Sequence, residues 1–503
     1  MIPNFNAVPS IKLSDLNIIE NALQTFNVQS EIILLGVSEK SYLIQKNFVF
    51  FALSGTNTHG AKFTADAVSR GASLVISDTE GQKIIESLDL KVPICVFREP
   101  REVLSSIAAS FFKAQPPCLI GVTGTNGKTS VVHYVKQIWD LLGETTASIG
   151  TTGTNGLLDL PLEHTTPDAI KLHWLLNQMV NRGINKVAIE ASSHGLEQRR
   201  LHGIKFLVGA FTNLSRDHFD YHNSMESYFK SKSILFDRLI TENGGAVICI
   251  DDDYGARMVE LVKSNDFRIV TVGKNRIADI RVLSHSFHAR GQEIKISWKG
   301  EQHVLSLDLF GGFQANNILL TLGILSMCGE NASKILNLVD KLKPVPGRME
   351  EVAVRKNGAK IFVDYAHTPD ALEVALRSIR LHFMGQIHLV FGAGGNRDIG
   401  KRSIMGEIAS NFADNVIITD DNPRNENPAT IRSQIKEFCP KALDIGDRAE
   451  AILTGIAKLQ KGDALIIAGK GHEKTQTFAD SSFPFDDAEQ ASLSVQALDG
   501  QPL

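Results

Sequence analysis

One short run constrains the fold more than anything else in the sequence: Leu119-Ile120-Gly121-Val122-Thr123-Gly124-Thr125-Asn126-Gly127-Lys128-Thr129-Ser130. The apolar stretch Cys118–Thr123 reads as a buried strand and Lys128 to Leu142 as a helix, with a glycine turn between them. Small residues let consecutive backbone N–H groups curl around phosphate oxygens, and the helix N-terminus adds partial positive charge. The run therefore predicts an α/β segment and an ATP phosphate site together. In this reading Lys128 bridges the β- and γ-phosphates and the Thr129 hydroxyl ligates Mg²⁺. Its G-x-x-G-K-T spacing is tighter than that of the general phosphate loop.

Composition places the rest of the chain around this site. Of 503 residues, 43% are hydrophobic and 21% charged, which excludes a disordered chain. Such a length predicts about three domains. The proline connections Ala114-Gln115-Pro116-Pro117 and Lys343-Pro344-Val345-Pro346-Gly347 put their borders at 1–114, 115–343 and 344–503. Lys and Arg number 52 against 56 Asp and Glu, so the electrostatic footprint of a nucleic-acid binder is missing. No apolar run approaches the ~18 residues of a membrane span. The opening MIPNFNAVPSIKLSD has neither the basic nor the apolar region of a secretory signal. Cys95, Cys118, Cys249, Cys328 and Cys439 form no C-x-x-C pair, which argues against a zinc site or disulfide scaffold and for a reducing compartment. The expectation is a cytoplasmic enzyme or NTPase with no membrane insertion.

Strands and helices alternate in all three pieces, the α/β pattern. Strands are expected at Asn47–Leu53, Ser73–Ser77, Lys186–Glu190, Phe206–Asn213, Ala246–Asp251, Lys360–Tyr365, Ile387–Gly392, Asn415–Asp420 and Ala464–Gly469. Their continuous apolar character suits parallel sheets buried on both faces. From Ile277 to Leu309 polar and apolar residues alternate, which predicts an antiparallel excursion.

Candidate chemistry clusters where strands end. Glu190 closes its strand, at the carboxyl edge that faces a ligand crevice in a parallel sheet. His218 and Asp220 follow the strand ending at Asn213, a sensible place for Mg²⁺ ligands. His218 and His222 are four apart, but Phe219 stands where H-E-x-x-H needs glutamate, which argues against zinc. Ala191–Arg200 is rich in small donors and ends in two arginines, suiting an anionic substrate. Toward the C-terminus, Phe391–Asp398 lacks G-x-G-x-x-G spacing and so is a weak NAD signal. With Asp421–Arg424 and Gly469–Glu473 it should converge on one crevice whose Arg, Asn and Glu side chains suit a zwitterion such as an amino acid. Ordinary βα turns would use similar residues for backbone geometry alone.

Taken in order, Gly124–Thr129, Ser192–Leu196, Asp217–His222, Pro346–Glu350, Asp364–Asp370, Asp421–Arg424 and Gly469–Glu473 resemble the Mur ligase family over essentially the whole chain. Among its members, the chain looks most like the ligase that adds the third residue to UDP-N-acetylmuramoyl-L-alanyl-D-glutamate in bacterial peptidoglycan precursor synthesis. The resemblance implies a UDP-binding α/β N-terminal domain, a central P-loop ATPase-type parallel-sheet domain and a C-terminal Rossmann-like domain, in a cytoplasmic monomer. It implies that Gly124, Thr125, Asn126, Gly127, Lys128, Thr129 and Ser130 hold the ATP phosphates. Asn317, Arg348, Asp364 and His367 would contact the nucleotide. Mg²⁺ would be held by Thr129, Glu190, His218 and Lys232, the last matching the lysine that the family carbamylates with CO₂. Catalysis would rest on Lys128, Glu190, His218 and Lys232. Ser41, Thr56, Asn57, Thr58, Thr165, Thr166, Ser192, Gln198 and Arg200 fall on the UDP-muramoyl-dipeptide positions. Arg397, Asp421, Asn422, Pro423, Arg424, Gly469 and Glu473 fall on those of the incoming amino acid. Arg424 implies meso-diaminopimelate, since the family's lysine-adding members generally lack it. Three positions depart from the family pattern: Lys40-Ser41-Tyr42 replaces Asp-Ser-Arg, His164 replaces Asn, and Gln314 replaces the first Asn of N-x-x-N.

The implied reaction forms an amide through an acyl phosphate, with one domain for the UDP end, one for ATP and one for the amino acid. A folylpolyglutamate-type ligase shares the Thr-Asn-Gly-Lys loop, but Asp421–Arg424 and the UDP-type N-terminal domain argue against it. A nucleotide-dependent switch is the rival outside enzymes.

Overall fold

The computed structural model describes residues 3, 5, 9–55, 57–217, 221–265 and 267–500. They form two compact units. The first takes the chain up to Thr123, Gly143–Gly209 and Lys230–Gly245; the second takes Gly124–Leu142, Ala210–Phe229 and the chain from Ala246 onward.

In the first unit, a five-stranded sheet has the order Gln24–Phe26, Ile94–Val96, Ala72–Ser77, Phe48–Ala52, Gly36–Ser38. Only the edge strand Gln24–Phe26 is antiparallel. Phe48–Ala52 is buried at every position, as its unbroken apolar run requires of a strand covered on both faces. Phe48, Phe50, Val75, Ile85, Ile94 and Val96 share one core. The unit also carries three parallel neighbours, Thr146–Gly150, Lys186–Glu190 and Cys118–Thr123. Glu190 pairs with Val122, so the carboxylate and the strand leading into Gly124 end on the same edge.

In the second unit, the helix Lys128–Leu141 buries Val131, Val132, Tyr134, Val135, Ile138 and Trp139. Strands Ile280–His288, Gly291–Trp298 and Glu301–Leu307 pair antiparallel, the excursion that alternation predicted. A six-stranded sheet follows, ordered Glu350–Val354, Lys360–Asp364, Ala464–Ala468, Ile387–Phe391, Asn415–Ile418, Leu443–Asp444. Only the first is antiparallel. Apolar clusters cover both faces of this sheet. Helices return between strands under side-chain caps: Thr368 and Pro369 start Pro369–Arg380, and Asp447 starts Arg448–Ala457. Asp364 pairs with Ala468, and Phe391 with Ile418, so the loops after all four strands open on one edge.

Most expected strands differ from the observed ones by a residue or two at an end: the one expected at Phe206–Asn213 stops at Phe211 and the one at Asn415–Asp420 at Ile418, and one differs by more. The strand expected at Ala246–Asp251 spans Ile240–Cys249, taking in the polar Thr241–Gly244 segment. The helix after Phe391 begins only at Lys401. The intervening loop is held by Gly395 N–H on the Asn422 carbonyl at 2.9 Å and by Arg402, which donates to the Gly394 carbonyl at 3.3 Å.

Candidate active site

In the second unit the glycine turn has the shape of a phosphate cradle. Gly124 and Gly127 adopt φ of +143° and +88°. A Cβ on Gly124 would lie 1.9 Å from Thr212 Oγ1, and one on Gly127 2.6 Å from Asn317 Oδ1. Only glycine tolerates both conditions. The loop is fixed from behind by residues that sequence reasoning missed. Thr212 Oγ1 donates to the Asn126 carbonyl at 2.6 Å, Asn213 Oδ1 accepts from the Asn126 N–H at 3.0 Å, and the Thr125 N–H donates to the Asn213 carbonyl at 2.9 Å. The expected strand included both, but it ends at Phe211, which places them in the turn after it.

Lys128 Nζ caps the loop, donating to the carbonyls of Gly124 and Thr125 at 3.0 and 2.7 Å. Thr129 and Ser130 are buried at the helix start. Arg348 donates to Thr129 Oγ1 at 3.3 Å, and its guanidinium lies 4.2 Å from the Tyr365 ring centre. Asn317 donates to Gln314 Oε1 at 3.0 Å, and that oxygen also accepts from the Tyr134 hydroxyl at 3.1 Å. Gln314 therefore joins the helix Gln314–Met327 to the phosphate-loop helix.

Asp364 has both oxygens on backbone: Oδ2 accepts from Met349 N–H at 2.7 Å and Oδ1 from Ala366 N–H at 2.8 Å. Burial pushes its carboxyl up against the opposing pull of Arg348. His367 Nδ1 donates to the Tyr365 carbonyl at 2.8 Å, leaving Nε2 as the acceptor, and burial pushes its imidazole down. Lys401, unanticipated from sequence, donates to the His367 carbonyl at 2.9 Å and feels the carboxylates of Asp421, Asp217 and Asp398. A chain of contacts thus runs from Thr129 through Arg348, Tyr365 and His367 to Lys401 and the neighbourhood of Asp421.

That neighbourhood is a charged corner where strand ends meet, as the sequence predicted. A Cβ on Gly469 (φ +116°) would sit 2.5 Å from Asp421 Oδ2. Asn422 Nδ2 donates to Glu473 Oε2 at 2.9 Å. Arg424 donates to the Gly395 carbonyl at 2.9 Å and holds its own backbone at φ 50°. Asp421 and Asn422 are buried and Arg397 is exposed. Lys470, missed in the sequence, is fully buried here.

In the first unit Glu190 sits among the hydroxyls of Thr151, Thr165, Thr166 and Ser192. Glu190, 1% exposed, accepts from Thr151 N–H on Oε1 at 2.8 Å and from Thr151 Oγ1 on Oε2 at 3.1 Å. Thr165 Oγ1 lies 3.1 Å from Thr151 Oγ1. Thr166 Oγ1 donates to the Glu190 carbonyl at 2.7 Å and meets Ser192 Oγ at 2.9 Å. Arg200 donates to the Thr166 carbonyl at 2.7 Å and to Gln198 Oε1 at 2.8 Å. Ser192 itself caps the short helix Ser193–Glu197. Lys232, on the helix Met225–Arg238, is 1% exposed, whereas Lys230 is exposed.

A cavity of about 370 Å³ in the same unit is walled by Phe5, Val37, Leu43 and Phe48, with Glu39, Lys40, His164 and Asp168 as polar lining. Burial, reinforced by Asp168, pushes the Glu39 carboxyl up. Ser41, Asn57 and Thr58 are not among its lining residues; Asn57 and Thr58 are exposed. Thr56, His218 and Asp220 lie outside the described residues. Among the described residues no three His, Cys, Asp or Glu side chains gather into a metal cluster, and no helix is long and apolar enough to cross a membrane. His222 packs against the rings of Tyr221 and Tyr228.

Three segments match family models: residues 35–112 the Mur ligase family catalytic domain, 122–325 the Mur ligase middle domain, and 347–471 the Mur ligase glutamate ligase domain. The chain is 42% identical over 473 residues to a UDP-N-acetylmuramoyl-L-alanyl-D-glutamate--2,6-diaminopimelate ligase of Mesorhizobium japonicum, covering 93% of this chain and 96% of that one. An Agrobacterium fabrum protein of the same name is 40% identical over 99% of this chain and 98% of its own. A solved structure of a ligase with that name superposes with a TM-score of 0.70 at 31% identity, covering 97% of this chain and 99% of that one.

Proposed function

The chain belongs to the Mur ligase family, and from that premise we propose that it is the ATP-dependent ligase that joins meso-diaminopimelate to UDP-N-acetylmuramoyl-L-alanyl-D-glutamate. The observation that supports this reading most directly is the pairing, within one unit, of a phosphate cradle with a charged corner built for a zwitterion. The contacts Thr129–Arg348, Tyr365–His367 and His367–Lys401 run between the two.

The D-glutamyl carboxylate attacks the γ-phosphorus of ATP, ADP leaves, and an acyl phosphate forms. The amino group of diaminopimelate then attacks the acyl carbon, loses a proton, and phosphate departs as the amide forms. Lys128 exchanges its two loop carbonyls for phosphate oxygens and offsets their charge, while backbone N–H groups of Gly124 to Ser130 hold the phosphates in place. Arg348 adds a second cation beside Thr129. The buried hydroxyl and carboxylate donors suit a hard cation. In this reading Thr129, Glu190, His218 and a carbamate on Lys232 hold Mg²⁺. When bound, Mg²⁺ supplies charge neutralisation at the transferring phosphoryl group. Asn317, Asp364 and His367 shape the nucleotide side. Ser41, Thr56, Asn57, Thr58, Thr165, Thr166, Ser192, Gln198 and Arg200 serve the UDP-linked dipeptide. Arg397, Asp421 to Arg424, Gly469 and Glu473 receive the amino acid. Domain borders at 1–114, 115–343 and 344–503 and a cytoplasmic monomer complete the proposal.

The test is phosphate release and amide formation with a panel of amino acids. Release should require ATP, the UDP-linked dipeptide and meso-diaminopimelate together, and Lys128→Ala should abolish it. ATP hydrolysis indifferent to both other substrates would point to a nucleotide switch instead.

A further inference from the structure

Lys470 has no solvent exposure, yet it is a lysine. A buried ammonium needs an acceptor for each of its three N–H groups. It finds three: the Thr475 carbonyl at 2.6 Å, Asn422 Oδ1 at 3.2 Å and Glu473 Oε2 at 3.5 Å. The first belongs to the backbone. The other two belong to side chains that the proposed function assigns to the incoming amino acid.

These contacts fix the Asn422 amide. Its Oδ1 faces Lys470 Nζ and also the Thr477 N–H at 2.9 Å. Both neighbours are donors only, so the oxygen must lie on this side and the NH₂ on the other. Nδ2 therefore points at Glu473 Oε2, 2.9 Å away. One oxygen of Glu473 is thus held by Asn422 and Lys470 together. Its Oε1 makes no hydrogen bond to a described residue, and the side chain is 35% exposed. The free oxygen is where a cation would be received.

We infer that Lys470 is a positioning residue for amino-acid recognition, locking Asn422 and Glu473 so that Glu473 presents one carboxylate oxygen to the ammonium of the substrate. This rests on the assignment of Asp421–Arg424 and Gly469–Glu473 to the amino-acid site. Without the Lys470 charge, only the Thr477 N–H orients the amide, and Glu473 loses one of the two contacts that aim it. The loss falls on amino-acid binding, because Lys470 touches no residue of the phosphate loop in this structure.

Steady-state kinetics on Lys470→Met, Glu473→Gln and the double variant test the inference. Lys470→Met should raise KM for meso-diaminopimelate by about tenfold or more, while KM for ATP and for the UDP-linked dipeptide stays put. Lys470→Met should add little to Glu473→Gln, since the two act through one contact. A purely structural lysine would shift all three KM values together and act additively. Should Lys470→Met fail to fold, Asn422→Asp keeps the volume and a partner for Lys470 but removes the donor facing Glu473. The same selective rise is expected. A folded Lys470→Met or Asn422→Asp enzyme with the parent's KM for meso-diaminopimelate overturns the inference, as does additivity. If Glu473→Gln and Arg424→Ala both leave that KM unchanged, the site assignment itself falls, and the inference with it.

Discussion

The Arg348 guanidinium donates to the Thr129 hydroxyl across 3.3 Å, although 219 residues separate the two in sequence. It is held over the Tyr365 ring at 4.2 Å, a cation–π contact that fixes its plane. Asp364 braces the turn next to it through the Met349 N–H. Arg348 is therefore pre-placed beside the first turn of the phosphate-loop helix. Arg348→Ala should raise KM for ATP and lower kcat, with a combined cost of roughly 2–4 kcal/mol in kcat/KM. Arg348→Lys should recover little of this, because an ammonium cannot replace the flat guanidinium on Tyr365. Parent-like ATP kinetics in a folded Arg348→Ala protein would remove Arg348 from the nucleotide site.

Arg424 bears on which amino acid is added. Diaminopimelate differs from lysine by a carboxylate at its far end, and a guanidinium can bind that group in two places. In the structure Arg424 leans on the Gly395 and Asn422 carbonyls, with Gly394 leaving room for it: a Cβ there would lie 2.9 Å from the arginine. Discrimination of about 2–5 kcal/mol in favour of meso-diaminopimelate over lysine is expected. Arg424→Ala should erode it mainly by weakening diaminopimelate. Comparable kcat/KM for both amino acids in the unmodified enzyme contradicts the assignment.

A third prediction concerns stability and pH. Burial pushes the His173 imidazole from its ordinary 6.5 down to about 4. Its Nε2 donates to the His202 carbonyl at 3.0 Å, and the buried Nδ1 has no partner among the described residues. The folded state thus resists protonation that the unfolded chain accepts. The contribution is complete above 6.5 and is lost as pH falls from there toward 4, to a total of roughly 3 kcal/mol. His173→Gln keeps a donor for the carbonyl without a group that titrates. The drop in Tm on acidification should be visibly smaller in His173→Gln than in the parent. Parallel Tm-versus-pH curves would show that His173 does not govern acid stability.

Much of this was legible along the chain because the signals are local. Cys118–Thr123 and Lys186–Glu190 form strands over the expected residues, since each is a continuous apolar run ended by a turn. Ser192 lies just past the strand end at Glu190, whereas Thr165, Thr166, Gln198 and Arg200 enter through the family resemblance and not through a local pattern. What sequence could not give depends on partners far away in the chain. Gln314 reads as a departure from an expected asparagine, yet its work is to accept from Tyr134, 180 positions earlier. Thr212 and Asn213 brace a loop that lies some ninety residues before them, and no local pattern marks them. Lys470 looks like any polar turn residue until Asn422 and Glu473 close over it.

Lys232 offers the sharpest test of the chemistry. Two lysines sit two residues apart on the helix Met225–Arg238, and the fold treats them oppositely: Lys230 is exposed and Lys232 is 1% exposed. An ammonium so enclosed is a poor neighbour for a divalent cation, because like charges repel strongly where water is excluded. In the proposed modification the ammonium loses one proton, and the neutral amine then forms an N–C bond to CO₂ and releases a second; the carbamate would change +1 to −1 and supply the oxygens that Mg²⁺ prefers. Lys232→Ala should therefore lose nearly all activity, and a short carboxylic acid added to that variant should restore part of it by filling the vacated space with oxygens. Lys230→Ala, whose side chain reaches solvent, should behave like the parent. Labelled CO₂ should enter the parent protein and not Lys232→Ala, a readout independent of turnover. An active Lys232→Ala enzyme, or equal label in both proteins, rules out the carbamate.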